Sequence, residues 1–294
     1  MLTYYAFKIA QYTVAYLPNR IGYFFSRLVA DLIYLLSPKT GANVSDNMKH
    51  VLGSDADDAT IKKATRGVIR SVVRNYFGMI KLPRTKYGDI ENRAVLHGFH
   101  NLEEALARGK GVILATAHLG SFDAAVQILA AKSVKTTILV EPLEPPALLK
   151  HVIWLRESMG LSCLPAQLSS LRGMIRRLHR GETILITCDR DFTNDGVKMD
   201  FFGAETSIPD GAVRIAMKTG AAVVPAFNLL REDGKYDIFW EPAIDLLPEG
   251  DGTVEKNVEQ VTRVVEKYIK SAPDQWVVTS PIWANRNNPR QSRE

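Results

Sequence analysis

Gly111-Val112-Ile113-Leu114-Ala115-Thr116-Ala117-His118-Leu119-Gly120-Ser121-Phe122-Asp123 constrains this chain more than any other stretch. Its first seven residues form an apolar run too short for a helix, which reads as a strand buried on both faces, as in a parallel sheet. Ala124-Ala125-Val126-Gln127-Ile128-Leu129-Ala130-Ala131 then reads as a helix, so Gly120-Ser121 marks the turn, with Ser121 as its N-cap. A strand, turn and helix in so few residues demands an α/β layer arrangement. It also sets an imidazole, His118, and a carboxylate, Asp123, at one junction. A carboxylate in the first helical turn is favoured by the helix dipole and stays ionised. Curling back, Asp123 is expected to hold one ring nitrogen of His118 while the other faces a hydroxyl, which makes His118 a general base.

The remainder of the chain repeats the alternation. Gly111–Ala117, Thr136–Val140, Gly181–Thr187, Ala221–Asn228 and Tyr236–Trp240 are the expected strands. Leu102–Arg108, Phe122–Ala131, Pro146–Met159, Ser169–Arg180, Gly211–Lys218 and Thr253–Ser271 are the expected helices. The expected fold is α/β: a mostly parallel central sheet flanked by helices, with an N-terminal membrane-associating helical segment. Ligands of such sheets gather beyond the carboxyl ends of the strands, where His118 and Asp189 each follow a strand. The expected organisation is interfacial helices over 1–37, a helical lead and linker over 38–88, an α/β domain over 89–284 and a polar tail over 285–294.

Residues 1–37 are rich in Tyr, Phe, Leu and Ile, but Lys8, Arg20, Arg27 and Asp31 interrupt them and Pro18-Asn19 divides them. Neither half supplies the ~18 uncharged residues of a spanning helix. No basic lead into a small-residue cleavage site suggests a secretory signal, so two helices lying in the headgroup layer are expected. Lys62, Arg66, Arg70 and Arg74 recur every fourth residue as a basic stripe, read either as a solvated face or as a contact for anionic headgroups or donor phosphates. Leu82-Pro83-Arg84-Thr85-Lys86-Tyr87-Gly88 breaks helicity and reads as a linker.

Composition enters as exclusion. A net charge of +5 fits anionic membranes or phosphate-bearing ligands, but the basic residues lie on helices without aromatic stacking motifs, which disfavours nucleic acid. Cys163 and Cys188 are too few for a disulfide framework and point to a reducing compartment. No His-rich or Cys-rich cluster accompanies His118, so no metal is expected, and no G-x-S-x-G elbow supports a serine hydrolase.

The His118-x4-Asp123 spacing resembles the signature of the lysophospholipid acyltransferase superfamily. Val95-Leu96-His97-Gly98, Asn101-Leu102-Glu103-Glu104-Ala105-Leu106 and Gly109-Lys110-Gly111 resemble the lead-in to that motif in its bacterial glycolipid branch, the late lipid A and phosphatidylinositol mannoside acyltransferases. Cys188-Asp189-Arg190-Asp191-Phe192-Thr193 with Asp200-Phe201-Phe202-Gly203, Pro209-Asp210-Gly211 with Thr219–Pro225, and Gln275-Trp276 resemble the later blocks in the same order. The chain departs from the branch at Ser121, where Asn is common, at Phe122, where Trp is common, and at Ser280-Pro281-Ile282-Trp283, where Arg is usual. The E-G-T-R block of glycerolipid acyltransferases is absent, with Asp189-Arg190-Asp191 in its place.

The resemblance implies transfer of a fatty acyl chain from acyl-CoA or acyl carrier protein, as co-substrate and without other cofactors, to a glycolipid hydroxyl. It implies peripheral association with the cytoplasmic face of the bacterial inner membrane. His118 would be the base, and Asp189 the second carboxylate, orienting His118 or the acceptor, with Asp191 as rival. Arg190 would help stabilise the oxyanion, and either aspartate could instead be its structural partner. Arg172, Arg176, Arg177, His179 and Arg180 crowd one helix and could dock the donor's phosphates or an acidic carrier, or form a solvated face. Phe201, Phe202 and the aromatics of the first helices are candidates for the acyl groove. A lysophospholipid acyltransferase and a non-catalytic lipid-binding module are the alternatives.

Overall fold

In the computed structural model, which describes residues 2–193, 195–248, 250 and 252–283, four long helices open the chain. They are α1 (Leu2–Thr13), α2 (Asn19–Leu36), α3 (Pro38–Leu52) and α4 (Asp58–Lys81). The expected polar tail lies outside the described residues. Pro18 separates α1 from α2, Pro38 starts α3 where a missing N–H is harmless, and Asp57 caps α4 by accepting the Thr60 amide at 2.7 Å. Helix α2 packs on α4 through Gly22, Ser26 and Ala30, one small residue per turn. A Cβ on Gly22 would stand 1.9 Å from the Phe77 ring, so the approach requires glycine. With its small face buried, α2 turns Phe24, Phe25, Leu28, Leu32 and Leu35 outward.

The main sheet contains β1 (Ala94–His97), β2 (Val112–Thr116), β3 (Thr136–Val140), β4 (Ser162–Pro165), β5 (Thr183–Thr187), β8 (Ala222–Leu230) and β9 (Tyr236–Trp240). The hairpin β6 (Val197–Phe201) and β7 (Ala204–Ile208) stands apart. The order β1-β9-β8-β2-β5-β3-β4 is parallel throughout except at the β8–β9 pair. Strand β2 is central, and its alternate side chains enter opposite cores, Ile113 and Ala115 one and Val112 and Leu114 the other. This explains a run with no polar alternation.

The first core is completed by α3, α4, α10 (Leu171–Leu178), α11 (Gly211–Thr219) and α12 (Thr253–Ser271), through Met48, Val68, Leu178, Val213 and Val265. The second lies under α5 (Tyr87–Glu91), α6 (Phe99–Ala107), α7 (Phe122–Ala125), α8 (Gln127–Ala131) and α9 (Pro146–Glu157), through Ile90, Leu102, Ile128 and Leu155.

All five expected strands form, and the structure adds β1, β4 and the β6–β7 hairpin. The expected helix over Phe122–Ala131 is two short helices meeting at Val126. The 82–88 stretch is not an open linker: Leu82–Arg84 is a 3-10 turn with Leu82 buried, and Tyr87 already starts α5. The basic stripe does not present a row of free cations. Arg66 and Arg70 both grip Asp31 of α2 at 2.8 Å, and Arg74 is largely buried with its Nε unbonded. Among the described residues no single helix is long and apolar enough to cross a membrane; α2 and α3 meet that measure only as a pair bent by 97°.

Candidate active site

The turn after β2 is clamped from four directions. The Gly120 amide donates to the Gln275 carbonyl at 2.9 Å, and Val277 N–H donates to His118 O at 2.8 Å, so the closing segment pairs with the turn as a short antiparallel bridge. Asn75 of α4 donates to Gly120 O at 2.7 Å and Asn228 of β8 to Leu119 O at 3.1 Å. Gly120 has φ +69°, and a Cβ there would fall 2.1 Å from the Asn228 carbonyl. Only glycine satisfies both conditions.

Register brings the second residue of the site to the first. Strands β2 and β5 are neighbours with Thr116 opposite Thr187, and Cys188 N–H donates to Thr116 O at 2.8 Å. Each chain leaves the sheet at the same height, so Asp189 arrives beside His118. Asp189 Oδ1 lies 2.9 Å from His118 Nδ1, while Oδ2 accepts the His118 amide at 3.0 Å and Trp276 Nε1–H at 2.7 Å. The Asp189 side chain is wholly buried, and burial opposes its ionisation. The adjacent His118 and the donated hydrogen bonds outweigh that penalty and hold the carboxyl below its usual range. An ionised Asp189 fixes the proton on Nδ1 and leaves Nε2 as the free base. The imidazole is about one-third exposed, so it can meet a substrate.

Asp123 does not hold the imidazole. Among the described residues it bonds Arg156 of α9, at 2.5 Å from Nε to Oδ1 and 3.3 Å from Nη2 to Oδ2. The short α7 aims it across the cavity toward α9, whereas β5 delivers its successor residue alongside β2. The carboxylate against the His118 ring is Asp189, expected as the second carboxylate, and not Asp123. Being sealed, Asp189 is not placed to bind an acceptor.

Asp191 is buried as a loop organiser, accepting from Thr193 N, Thr193 Oγ1, Gly196 N and Ser207 Oγ at 2.6–3.1 Å. Arg190 lines the cavity, paired with Glu141 and donating to Ser280 Oγ at 3.3 Å. Burial pushes the Cys188 thiol up to about 12, so it is no nucleophile at neutral pH.

The cavity in front of His118 has a volume of about 700 Å³. Its lining is largely apolar, with Val72, Met79, Leu143, Val152 and Ile186, and it carries the carboxylates of Asp123, Glu141, Asp195 and Asp210 beside the guanidinium groups of Arg156 and Arg190. Arg156 pairs with Asp123, Arg190 with Glu141 and Asp210 with Arg214, which leaves Asp195 without an ion pair among the described residues.

Phe201, Phe202 and Arg176, expected at the substrate, lie elsewhere, as does Ser121. Ser121 is buried and hydrogen-bonds Tyr236 behind the turn; it occupies the N-cap position without a capping bond. Phe201 and Phe202 pack in an aromatic cluster with Trp276 and Trp283, Phe201 stacking on Trp283 at 5.7 Å between ring centroids, so they belong to the core and not to the cavity. Arg176 sits near the opposite ends of the strands. The aromatics Tyr12, Tyr16, Phe24 and Phe25 face outward instead of into an acyl groove. Conversely, sequence reasoning passed over Asn75, Glu141 and Arg156. Glu141 directly follows a strand at the ligand-binding edge, a signal that was available.

The family model for the bacterial lipid A biosynthesis acyltransferase matches residues 1–284. The chain is 28% identical over 255 residues to the phosphatidylinositol mannoside acyltransferase of Mycolicibacterium smegmatis, covering 84% of this chain and 81% of that protein. It is 26% identical over 212 residues to the lipid A biosynthesis acyltransferase of Haemophilus influenzae, covering 70% and 64% of the two chains. With the lipid A biosynthesis lauroyltransferase of Escherichia coli it shares 25% identity over 192 residues, or 64% and 60%.

Proposed function

The chain belongs to the bacterial lipid A biosynthesis acyltransferase family and is an enzyme that transfers acyl groups, and from that premise we propose that it moves a fatty acyl chain from a thioester donor to a hydroxyl of a glycolipid at a membrane surface. The observation that carries the proposal is His118, whose Nδ1 is anchored on the sealed Asp189 while the imidazole lines a largely apolar cavity that also carries four carboxylates.

In this mechanism Nε2 of His118 takes the proton of the acceptor hydroxyl as its oxygen attacks the thioester carbonyl. Asp189 stabilises the imidazolium, and Arg190, which lines the cavity while paired with Glu141, is our assignment for the group that meets the developing oxyanion. Collapse of the tetrahedral adduct breaks the C–S bond, and the imidazolium proton passes to the departing thiolate of acyl-CoA or acyl carrier protein. Asp123 and Arg156 together form a rigid polar wall for the acceptor. The lipid chains occupy the apolar wall.

The carboxylate-rich lining favours a sugar head group over a phosphomonoester, since carboxylates accept from hydroxyls and repel phosphate. The outward apolar face of α2, with Tyr12 and Tyr16 nearby, supports peripheral seating in an anionic leaflet, for which the cytoplasmic face of the inner membrane is our assignment. The deciding experiment offers the purified enzyme mannosylated or glucosamine-based lipid, lysophosphatidic acid and glycerol 3-phosphate with one acyl-CoA. The glycolipid should be acylated fastest. Preference for lysophosphatidic acid would replace this reading with the lysophospholipid one.

A further inference from the structure

At the opposite ends of the strands lies a second pocket of about 420 Å³, under α10. Its floor is the cross-strand pair Thr137 and Ser162, with Gly173 of α10 contributing no side chain above it. Lys135, Arg176, Arg177 and Arg180 form its rim, opposed by the single carboxylate of Glu182. Arg177 approaches Glu182 only to 3.9 Å, and Lys135, Arg176 and Arg180 make no ion pair with any described residue. Four cations against one anion leave the pocket with a formal charge of +3. Such crowding repels itself, and the cations converge from two separate segments, α10 with the turn after it and the residue before β3, which a merely solvated helix face does not require. The hydroxyls below offer the donors that would complete the ligation of an oxyanion.

We propose that this pocket is a phosphate-binding site, separate from the acyl-transfer cavity, that takes a small ligand carrying two or more phosphate charges. From Thr183 to Asp189 is six residues along and beyond β5, about 20 Å at roughly 3.3 Å per residue, so an ion held here does not touch His118. The catalytic cavity is a poorer phosphate site, because each of its two arginines already faces a carboxylate. The ligand chemistry has two sources, the phosphates of a coenzyme A donor or a free diphosphate-bearing metabolite. Arginine forks and a lysine suit either.

The test is calorimetric titration of the full-length protein with pyrophosphate at constant ionic strength. Wild type and His118→Ala should bind equally, with millimolar or tighter affinity, whereas the Arg176→Gln/Arg180→Gln variant should bind about tenfold or more weakly, as loss of charge-assisted hydrogen bonds at exposed positions requires. Both arginines are exposed, so the variant should keep its melting temperature, and Lys135→Gln provides an independent check from another element. Coenzyme A and its form lacking the 3′-phosphate distinguish the sources: a parallel loss of coenzyme A affinity with a raised KM and unchanged kcat identifies the donor, while loss confined to pyrophosphate identifies a free ligand. Absence of saturable pyrophosphate binding to wild type, or binding unaltered by both variants, overturns the proposal. Since His118→Ala is inactive in acyl transfer by the reading above, its retained binding keeps this result separate from that reading.

Discussion

The carboxyl edge of the sheet and the N-terminal helices treat their side chains in opposite ways. At the edge, both oxygens of Asp189 are occupied, and the amides of His118 and Gly120 each have a partner from a distant segment. On α1 and α2, large apolar side chains such as Phe24, Leu28 and Leu36 stand in the open, and only the small-residue seam of α2 is packed. Chemistry that depends on one tautomer needs over-determined geometry, whereas adsorption to a fluid surface needs area. The molecule places each where its demand is met.

The contrast breaks most severely at Asp189. Replacing it with Asn preserves volume but offers an N–H where His118 needs an acceptor, so the imidazole adopts the wrong tautomer; the expected loss of kcat is about 10³–10⁴-fold, comparable to deletion of the base in His118→Ala. Asp123→Asn retains the His118 anchor and should lose less. Steady-state kinetics with circular dichroism as the fold control checks this, and Asp189→Asn activity within tenfold of the parent would refute the anchoring role.

The apolar shell should respond in binding while the chemistry stays intact. Phe24→Ser, Leu28→Ser and Leu32→Ser combined remove side chains each worth on the order of 1–2 kcal/mol when withdrawn from water, so vesicle affinity should fall by about 10²-fold or more. Sedimentation with anionic vesicles measures it. High salt should release the parent only in part, because apolar burial persists when charges are screened. Activity on detergent-dispersed acceptor should survive in the triple variant; complete release of the parent by salt would contradict apolar seating.

Legibility in the sequence follows the same division. The strand-turn-helix at His118 was readable because β2 is buried on both faces and its turn residues are local. The partner of His118 was legible only in part: strand ends and resemblance offered Asp189 beside Asp123, but the choice between them rests on the adjacency of β2 and β5, a property of strand order that no local pattern encodes. Phe201 and Phe202 misled for a related reason: apolar character announces burial without saying in which core. The edge strands β1 and β4, four residues each, are too short to show alternation.

A finer probe of the rigid edge is Trp276→Phe. It removes one donor to a charged, buried carboxylate, a bond worth ~1.5–3 kcal/mol, and should lower kcat by about 10–100-fold if the loss is expressed in the dyad. A purely structural role would lower the melting temperature alone. A positioning role lowers kcat with the melting temperature unchanged, and a kcat equal to the parent's would mean that His118 alone secures Asp189.

The smallest effect tests how the shell is fastened to the body. Asp31 of α2 accepts forked pairs from Arg66 and Arg70, whose side-chain hydrogen bonds hold its carboxyl well below the usual range. Arg66 is about half exposed, and solvent screens the pairs, so Asp31→Asn should cost no more than about 1 kcal/mol of stability at neutral pH. The sign follows from linkage: a depressed native pKa contributes stability above the unfolded value, near 4, and loses it as pH falls through the native one. Chemical denaturation of parent and Asp31→Asn should therefore differ at pH 7 and converge in strong acid. Vesicle binding should hardly change, because the apolar face of α2 is turned away from this pair. A loss of several kcal/mol would show that the shell is pinned by charge, making it part of the rigid body after all and erasing the contrast.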